Sequence, residues 1–163
     1  MNTTVYLNIG SNSGDRRASL ARAVAALVSA FPDASVRLSE AVESEPWGYE
    51  SPNPYLNTGV ALTMRRETSW NDASLLDLLD AVQAAERSVS PAPHRNSDGS
   101  YRDREVDIDI IAVDTLIFKH PRLTLPHPRM QLRPFVLIPM QALAPDWRHP
   151  LLGLTPGALL DEF

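Results

Sequence analysis

The 163-residue sequence predicts an α+β domain of the ferredoxin-like class, a βαββαβ sandwich with a Pro-rich and helical C-terminal extension. Three observations predict it. Segments with period-2 alternation and segments with helical periodicity follow one another in the order β-α-β-β-α-β. Each helical segment carries one apolar face, which one face of a sheet can cover. Fourteen prolines, clustered at 46–54, 91–93, 121–139 and 145–156, confine the irregular connections to defined places. No repeat, low-complexity tract or linker divides the chain, so residues 1–163 read as a single domain.

Taken in order, Val5, Leu7 and Ile9 alternate with Tyr6 and Asn8 and run into Gly10-Ser11-Asn12-Ser13-Gly14, a strand followed by a structural turn. Ser13 or Asp15 can cap the helix that follows, in which Leu20, Val24, Leu27, Val28 and Phe31 share a face until Pro32 stops it. Residues 35–42 form a second strand, weakly patterned on Val36, Leu38 and Ala41 and suited to an edge. Turn residues make 45–54 a loop, with Trp47 and Tyr49 as its aromatics. Leu56, Val60, Leu62 and Met64 mark a third strand over 55–64. Leu75, Leu78, Leu79, Val82 and Val89 then mark a second helix capped by Asn71 or Asp72. Residues 88–103 are polar and aperiodic, a long loop of the functional or disordered kind. Residues 106–113 are the strongest strand, and after a Pro-rich stretch a helix over 134–143 begins with Pro134 in its first turn.

Composition limits function. Fifteen Lys and Arg against twenty Asp and Glu give a formal charge of −5, so bulk attraction to nucleic acid or anionic lipid is excluded and an anionic ligand must meet a local basic pocket. Without cysteine there is no disulfide, no thiolate nucleophile and no Cys-ligated metal, while carboxylate and imidazole sites stay open. No secretory signal opens the sequence, and its apolar runs fall far short of the roughly 20 residues a bilayer span needs. A cytoplasmic protein with no nucleic-acid, membrane or obligate protein partner is expected.

Three constellations carry chemistry. In the strand around Arg104-Glu105-Val106-Asp107-Ile108-Asp109-Ile110, side chains two apart share a face, so Asp107 and Asp109 point together and Val106, Ile108 and Ile110 point oppositely. Two carboxylates spaced this way can converge on hard cations such as Mg²⁺; the alternative is a half-exposed strand whose wet face carries two aspartates. Between Asp114 and Asp146 there is no acidic residue, but Lys119, His120, Arg122, His127, Arg129 and Arg133 are present, a phosphate cradle or else a solvated basic surface. Trp47, Tyr49, Tyr55 and Asn57 could stack on a planar heterocycle and read its edge, although a buried Tyr at a strand start also serves a core. Walker, Rossmann, nucleophile-elbow and H-E-x-x-H motifs are all absent.

The segments Asn8-Ile9-Gly10-Ser11-Asn12, Pro46-Trp47-Gly48, Tyr55-Leu56-Asn57, Arg104-x-x-Asp107-Ile108-Asp109-Ile110 and Leu123-Thr124-Leu125-Pro126-His127-Pro128 occur in this order. As a set they resemble the 6-hydroxymethyl-7,8-dihydropterin pyrophosphokinase family of folate biosynthesis. The resemblance implies a ferredoxin-like fold that transfers pyrophosphate from MgATP to the pterin hydroxymethyl group and releases AMP. It implies that Asp107 and Asp109 ligate two Mg²⁺ ions and that Tyr55, Asn57, Ser44, Pro46, Gly48 and Phe135 form the pterin pocket. Arg104, Ile110, Arg122, Thr124, His127 and Arg133 would face ATP, with Gln83 and Glu86 near the nucleotide. A binding module of the same fold with lost or weak catalysis is the competing expectation.

The sequence also departs from that family, which has a Gly-Arg-x-Arg segment after its second helix and a Trp in a mobile loop. Here Ser90-Pro91-Ala92-Pro93 takes that place, and Pro128 stands where an aromatic is familiar. The expectation is a lid over 88–103 in which Arg95 or Arg102 replaces the arginines and Tyr101 the Trp, with Arg102 as the catalytic charge donor.

Overall fold

The computed structural model describes residues 1–46, 49, 51–90, 97, 103 and 105–163. Its chain order is β1 (Asn2–Ser11), α1 (Arg16–Ala30), β2 (Ser35–Leu38), β3 (Val42–Ser44), β4 (Tyr55–Arg65), α2 (Asp72–Val89), β5 (Asp107–Val113), β6 (Phe118–His120), β7 (Leu123–Leu125), α3 (Pro134–Leu143) and α4 (Pro156–Leu160). A mixed α/β architecture results. One sheet runs β2-β4-β1-β5 with β3 also on β4, and β6 and β7 form a separate hairpin. All of its ladders are antiparallel.

Strand alternation sorts the side chains between two cores. Val5, Leu7 and Ile9 of β1, Leu56, Val60 and Leu62 of β4, and Ile108 and Ile110 of β5 pack with Leu20, Leu27, Leu75, Leu78 and Val82 of α1 and α2. Tyr6, Ile111 and Ala112 face the other way, into a smaller core with Val136, Leu137 and Met140 of α3, Trp147 and Leu159. A register shift opposite Tyr6 and Leu7 makes the switch: Leu7 pairs with Ile110 and Tyr6 with Ala112, so Ile111 is the extra residue of a bulge and β5 alternates anew beyond it. On the second face α3 packs against β4, β3 and β1. Gly59 permits this approach, because a Cβ there would lie 2.7 Å from the Pro139 Cβ.

The helix caps resolve the sequence alternatives. Asp15 accepts from the Ala18 N–H, and Asn71 and Ser74 form a reciprocal capping box. Four expectations need correction. Gly10 and Ser11 are strand rather than turn, since β1 is central and Asn57, Leu56 and Asp107 supply their ladder partners. The second strand divides into β2 and β3 because Ser39 intervenes, its Oγ accepting from the Gly59 N–H at 2.8 Å in place of a backbone carbonyl. On α1 the buried stripe is Ser19, Leu20, Ala23 and Leu27, while Val28 is 45% exposed: small residues bring the helix close on a stripe turned away from Val28. The long loop starts later than 88, for Ser88 and Val89 close α2 and Ser90 is its C-cap. The β6–β7 hairpin was not legible from its three-residue strands, although Leu123 and Leu125 enter the main core. Among the described residues, no helix is long and apolar enough to cross a membrane.

Candidate active site

A cleft of ≈ 550 Å³ opens on the sheet face opposite α1 and α2 and wraps around the β5 edge. Asp107 and Asp109 stand on that face, beside Gly10 and Asn8 of β1. Across from them α3 begins, and its N-cap residue Arg133 brings Nη1 to 4.0 Å from Asp109 Oδ2. The guanidinium also lies 5.8 Å from the Phe135 ring centroid, which limits where it can swing. The carboxylate pair thus faces a cation held by a helix start.

One end of the cleft carries two buried amides, Asn57 and Asn8. Asn57 is buried, and its amide donates to Ser44 Oγ at 2.8 Å and to the Val42 carbonyl at 3.1 Å. Its donors are thereby committed and its Oδ1 is left over Gly10, where a Cβ would sit 3.1 Å from that oxygen and 3.1 Å from Tyr55 Cδ1. Asn8 Nδ2 reaches Asn57 Oδ1 at 3.5 Å, while Asn8 Oδ1 is buried with no hydrogen-bond partner among the described residues. An unsatisfied acceptor of this kind costs free energy until a donor arrives. Tyr55 and Phe135 supply flanking rings.

The other end follows the β5 edge, where Ile110 and Thr124 line the wall. Here Glu86 reaches from α2 and accepts from the Ile108 N–H at 2.8 Å, a buried carboxylate satisfying an edge-strand amide. Arg122 bridges to Asp80 at 2.6 Å and lies 3.3 Å from Gln83 Oε1. That pair is solvent-exposed and therefore contributes little, so a phosphate could draw Arg122 away cheaply. His127 is fixed by its backbone N–H on the Ile111 carbonyl at 2.7 Å and by the Arg129 backbone N–H on its ring Nδ1 at 3.2 Å. With Nδ1 accepting, the neutral ring carries its proton on Nε2.

Burial, then the charges of Arg133 and Arg129, lower the His127 pKa to about 4. Burial alone also lowers that of His149, whose Nδ1 accepts from the Leu151 and Leu152 amides. Both imidazoles take up protons more readily in the unfolded chain, so stability falls as pH drops from about 6.5 toward 4. Urea melts at pH 7 and pH 5 should show the loss, and His127→Gln should reduce it by about 1 kcal/mol or more. An identical pH dependence in the variant would contradict the neutral, buried His127.

Of the residues singled out in the sequence, Asp107, Asp109, Ser44, Tyr55, Asn57, Phe135, Gln83, Glu86, Ile110, Arg122, Thr124, His127 and Arg133 line this one cleft. Pro46 lines an adjoining hollow with Tyr49 and Ser51 instead. Gly48, Arg95, Tyr101, Arg102 and Arg104 lie outside the described residues, as does most of the expected lid. Lys119 and His120 are not part of the cleft: His120 stacks on Phe118 within the hairpin. Sequence reasoning gave Asn8 no role beyond the motif and read Gly10 as part of a turn; for Asn8 the signal was a polar residue set between Leu7 and Ile9.

Paired carboxylates facing arginines in a cleft, on an antiparallel sheet backed by helices, suit the chemistry of a phosphoryl-group transferase. The family model described as 7,8-dihydro-6-hydroxymethylpterin-pyrophosphokinase (HPPK) matches residues 6–145, and the chain belongs to that family. It is an ATP-dependent pyrophosphokinase of folate biosynthesis. The 2-amino-4-hydroxy-6-hydroxymethyldihydropteridine pyrophosphokinase of Porphyromonas gingivalis is 40% identical over 147 residues, 90% of this chain and 93% of the relative. That of Bacillus subtilis is 34% identical over 140 residues, 86% of this chain and 77% of the relative. A crystal structure of an HPPK-DHPS in complex with substrates is alike in fold, with a TM-score of 0.59 at 11% identity; the match covers 99% of this chain and 43% of that one.

Proposed function

We propose that the two ends of the cleft divide the reaction, the pterin lying between Tyr55, Asn57 and Phe135 and MgATP along the β5 edge with its phosphates over Asp107 and Asp109. The observation that carries this reading is the single cleft that joins the same-face aspartates, with Arg133 4.0 Å from Asp109, to the oriented amide of Asn57. The strand order and the two helices on one face are read as the ferredoxin-like frame, with residues beyond 113 as its extension.

The donor set suits Mg²⁺. Both ligands are carboxylates, and no group of three acidic or histidine side chains gathers among the described residues. A cation held by two carboxylates leaves its remaining positions to water and substrate phosphates, as Mg²⁺ prefers. Asp107 and Asp109 would hold two such ions, and bound there they neutralise the triphosphate and polarise its oxygens. In the transfer, the pterin hydroxymethyl oxygen gives up its proton to solvent and bonds to the β-phosphorus, the bond from that phosphorus to the α–β bridging oxygen breaks, and AMP leaves with that oxygen and the electron pair of the broken bond. Arg133 and neutral His127 donate to the charge spread over the phosphate oxygens, Arg122 steers the incoming nucleotide, and Asn57 aligns the nucleophile. Arg104 is assigned to the same charge through the family resemblance, and Arg102 as the stand-in for the family arginines that this sequence lacks.

Calorimetry with the hydroxymethyl dihydropterin and a non-hydrolysable ATP analogue tests the division. Both should bind one-to-one and together. Mutual exclusion would contradict it.

A further inference from the structure

Asp103 lies outside every helix and strand, four residues before Asp107, yet its carboxylate accepts four side-chain hydrogen bonds. Its Oδ1 accepts from Asn12 Nδ2 at 2.9 Å and from the Tyr49 hydroxyl at 3.0 Å. Its Oδ2 accepts from Asn53 Nδ2 at 2.7 Å and Ser51 Oγ at 3.1 Å. The donors come from two separate parts of the chain, the residue following β1 and the loop that leads into β4. Asn12 ties those parts to each other as well, its Nδ2 sharing two hydrogens among Asp103 Oδ1, the Tyr49 oxygen at 2.8 Å and the Asn53 carbonyl at 3.1 Å. The Tyr49 oxygen is in turn 3.2 Å from that of Tyr55, whose ring lines the cleft.

One carboxylate therefore connects the wall of the pterin end to the segment that enters the metal-bearing strand. Burial alone would raise the Asp103 pKa, but the hydrogen bonds from Asn53, Ser51, Tyr49 and Asn12 outweigh it and hold the group in its charged form. No neutral side chain reproduces the arrangement: an amide offers one acceptor oxygen where the carboxylate offers two.

We infer that Asp103 is a positioning residue that couples the two ends of the cleft, so that filling one end organises the other. The inference rests on the assignment of the cleft given above. Ordering of Tyr49, Ser51, Asn53 and Tyr55 by a ligand fixes the donors around Asp103, and through it the approach to Asp107 and Asp109. A ligand on the aspartates orders the same set from the other side. Such coupling is reciprocal by thermodynamic necessity.

The test measures pterin affinity with and without a saturating ATP analogue and Mg²⁺, by calorimetry, in the wild type, Asp103→Asn and Tyr49→Phe. The wild-type affinities should differ by a coupling factor of about tenfold or more, and Asp103→Asn should bring that factor to within about twofold of unity. Tyr49→Phe keeps the ring and removes one donor, so it should lower the factor partway. In steady state, Asp103→Asn should raise the KM for pterin measured at saturating ATP while lowering kcat less. A merely structural role would weaken each ligand separately and leave the coupling factor unchanged, and that result would overturn the inference. Full wild-type coupling in Asp103→Asn would do the same. Wild-type protein that binds ATP analogue but no pterin would instead overturn the assignment of the cleft.

Discussion

Asp107→Asn and Asp109→Asn should each lower kcat at least about a hundredfold, a loss of about 2.7 kcal/mol of transition-state stabilisation, with the fold intact. Both aspartates project from β5 onto the sheet face away from the main core, so neutralising them removes no apolar contact from it. An amide retains an oxygen donor but not the charge that holds a hard cation against water, and the full triphosphate charge then falls on Arg133 and its cationic neighbours. The check is single-turnover kinetics at saturating Mg²⁺, beside circular dichroism to confirm the fold. Either variant turning over at near the wild-type rate would remove that residue from the metal site.

The second large effect is selective. Asn57→Ala should weaken pterin binding by about 1–3 kcal/mol and binding of the ATP analogue by much less. The Asn57 side chain is oriented by Ser44 and the Val42 carbonyl, and its oxygen sits over Gly10 in the cleft. Removing it takes away an edge contact and also leaves the Asn8 amide without the acceptor in β4 to which it makes its long hydrogen bond. Calorimetry with each ligand separately distinguishes the outcomes, since equal losses for both would make Asn57 a structural residue of the β3–β4 ladder.

How far the sequence carried this reading depended on whether a feature is local. The Asp107–Asp109 face follows from the period of a strand, and the Asn71 and Asp15 caps follow from local side-chain chemistry; both are legible in a single segment. The bulge at Ile111 is not, because it depends on how β1 and β5 pair, and it alone explains why consecutive residues Ile111 and Ala112 both serve the second core. Glu86 illustrates the same limit: as a sequence position it is one more acid on a helix, and only the placement of α2 beside the β5 edge shows its oxygen on the Ile108 amide. The family resemblance brought Glu86, Gln83 and Thr124 to notice where periodicity offered nothing. It had no counterpart for Asp103, whose partners are 50 to 91 residues away in the chain.

In the proposed reaction this cleft moves a pyrophosphoryl group as a unit from ATP to the pterin, with Asp107 and Asp109 supplying the metal site. The most direct measurement is product analysis after incubation with MgATP and 6-hydroxymethyl-7,8-dihydropterin, followed by phosphorus NMR. AMP and a pterin diphosphate should appear in equal amounts, formed only when Mg²⁺ is present and the two aspartates are intact. ADP with a pterin monophosphate, or an undiminished yield of AMP from Asp107→Asn, would contradict it.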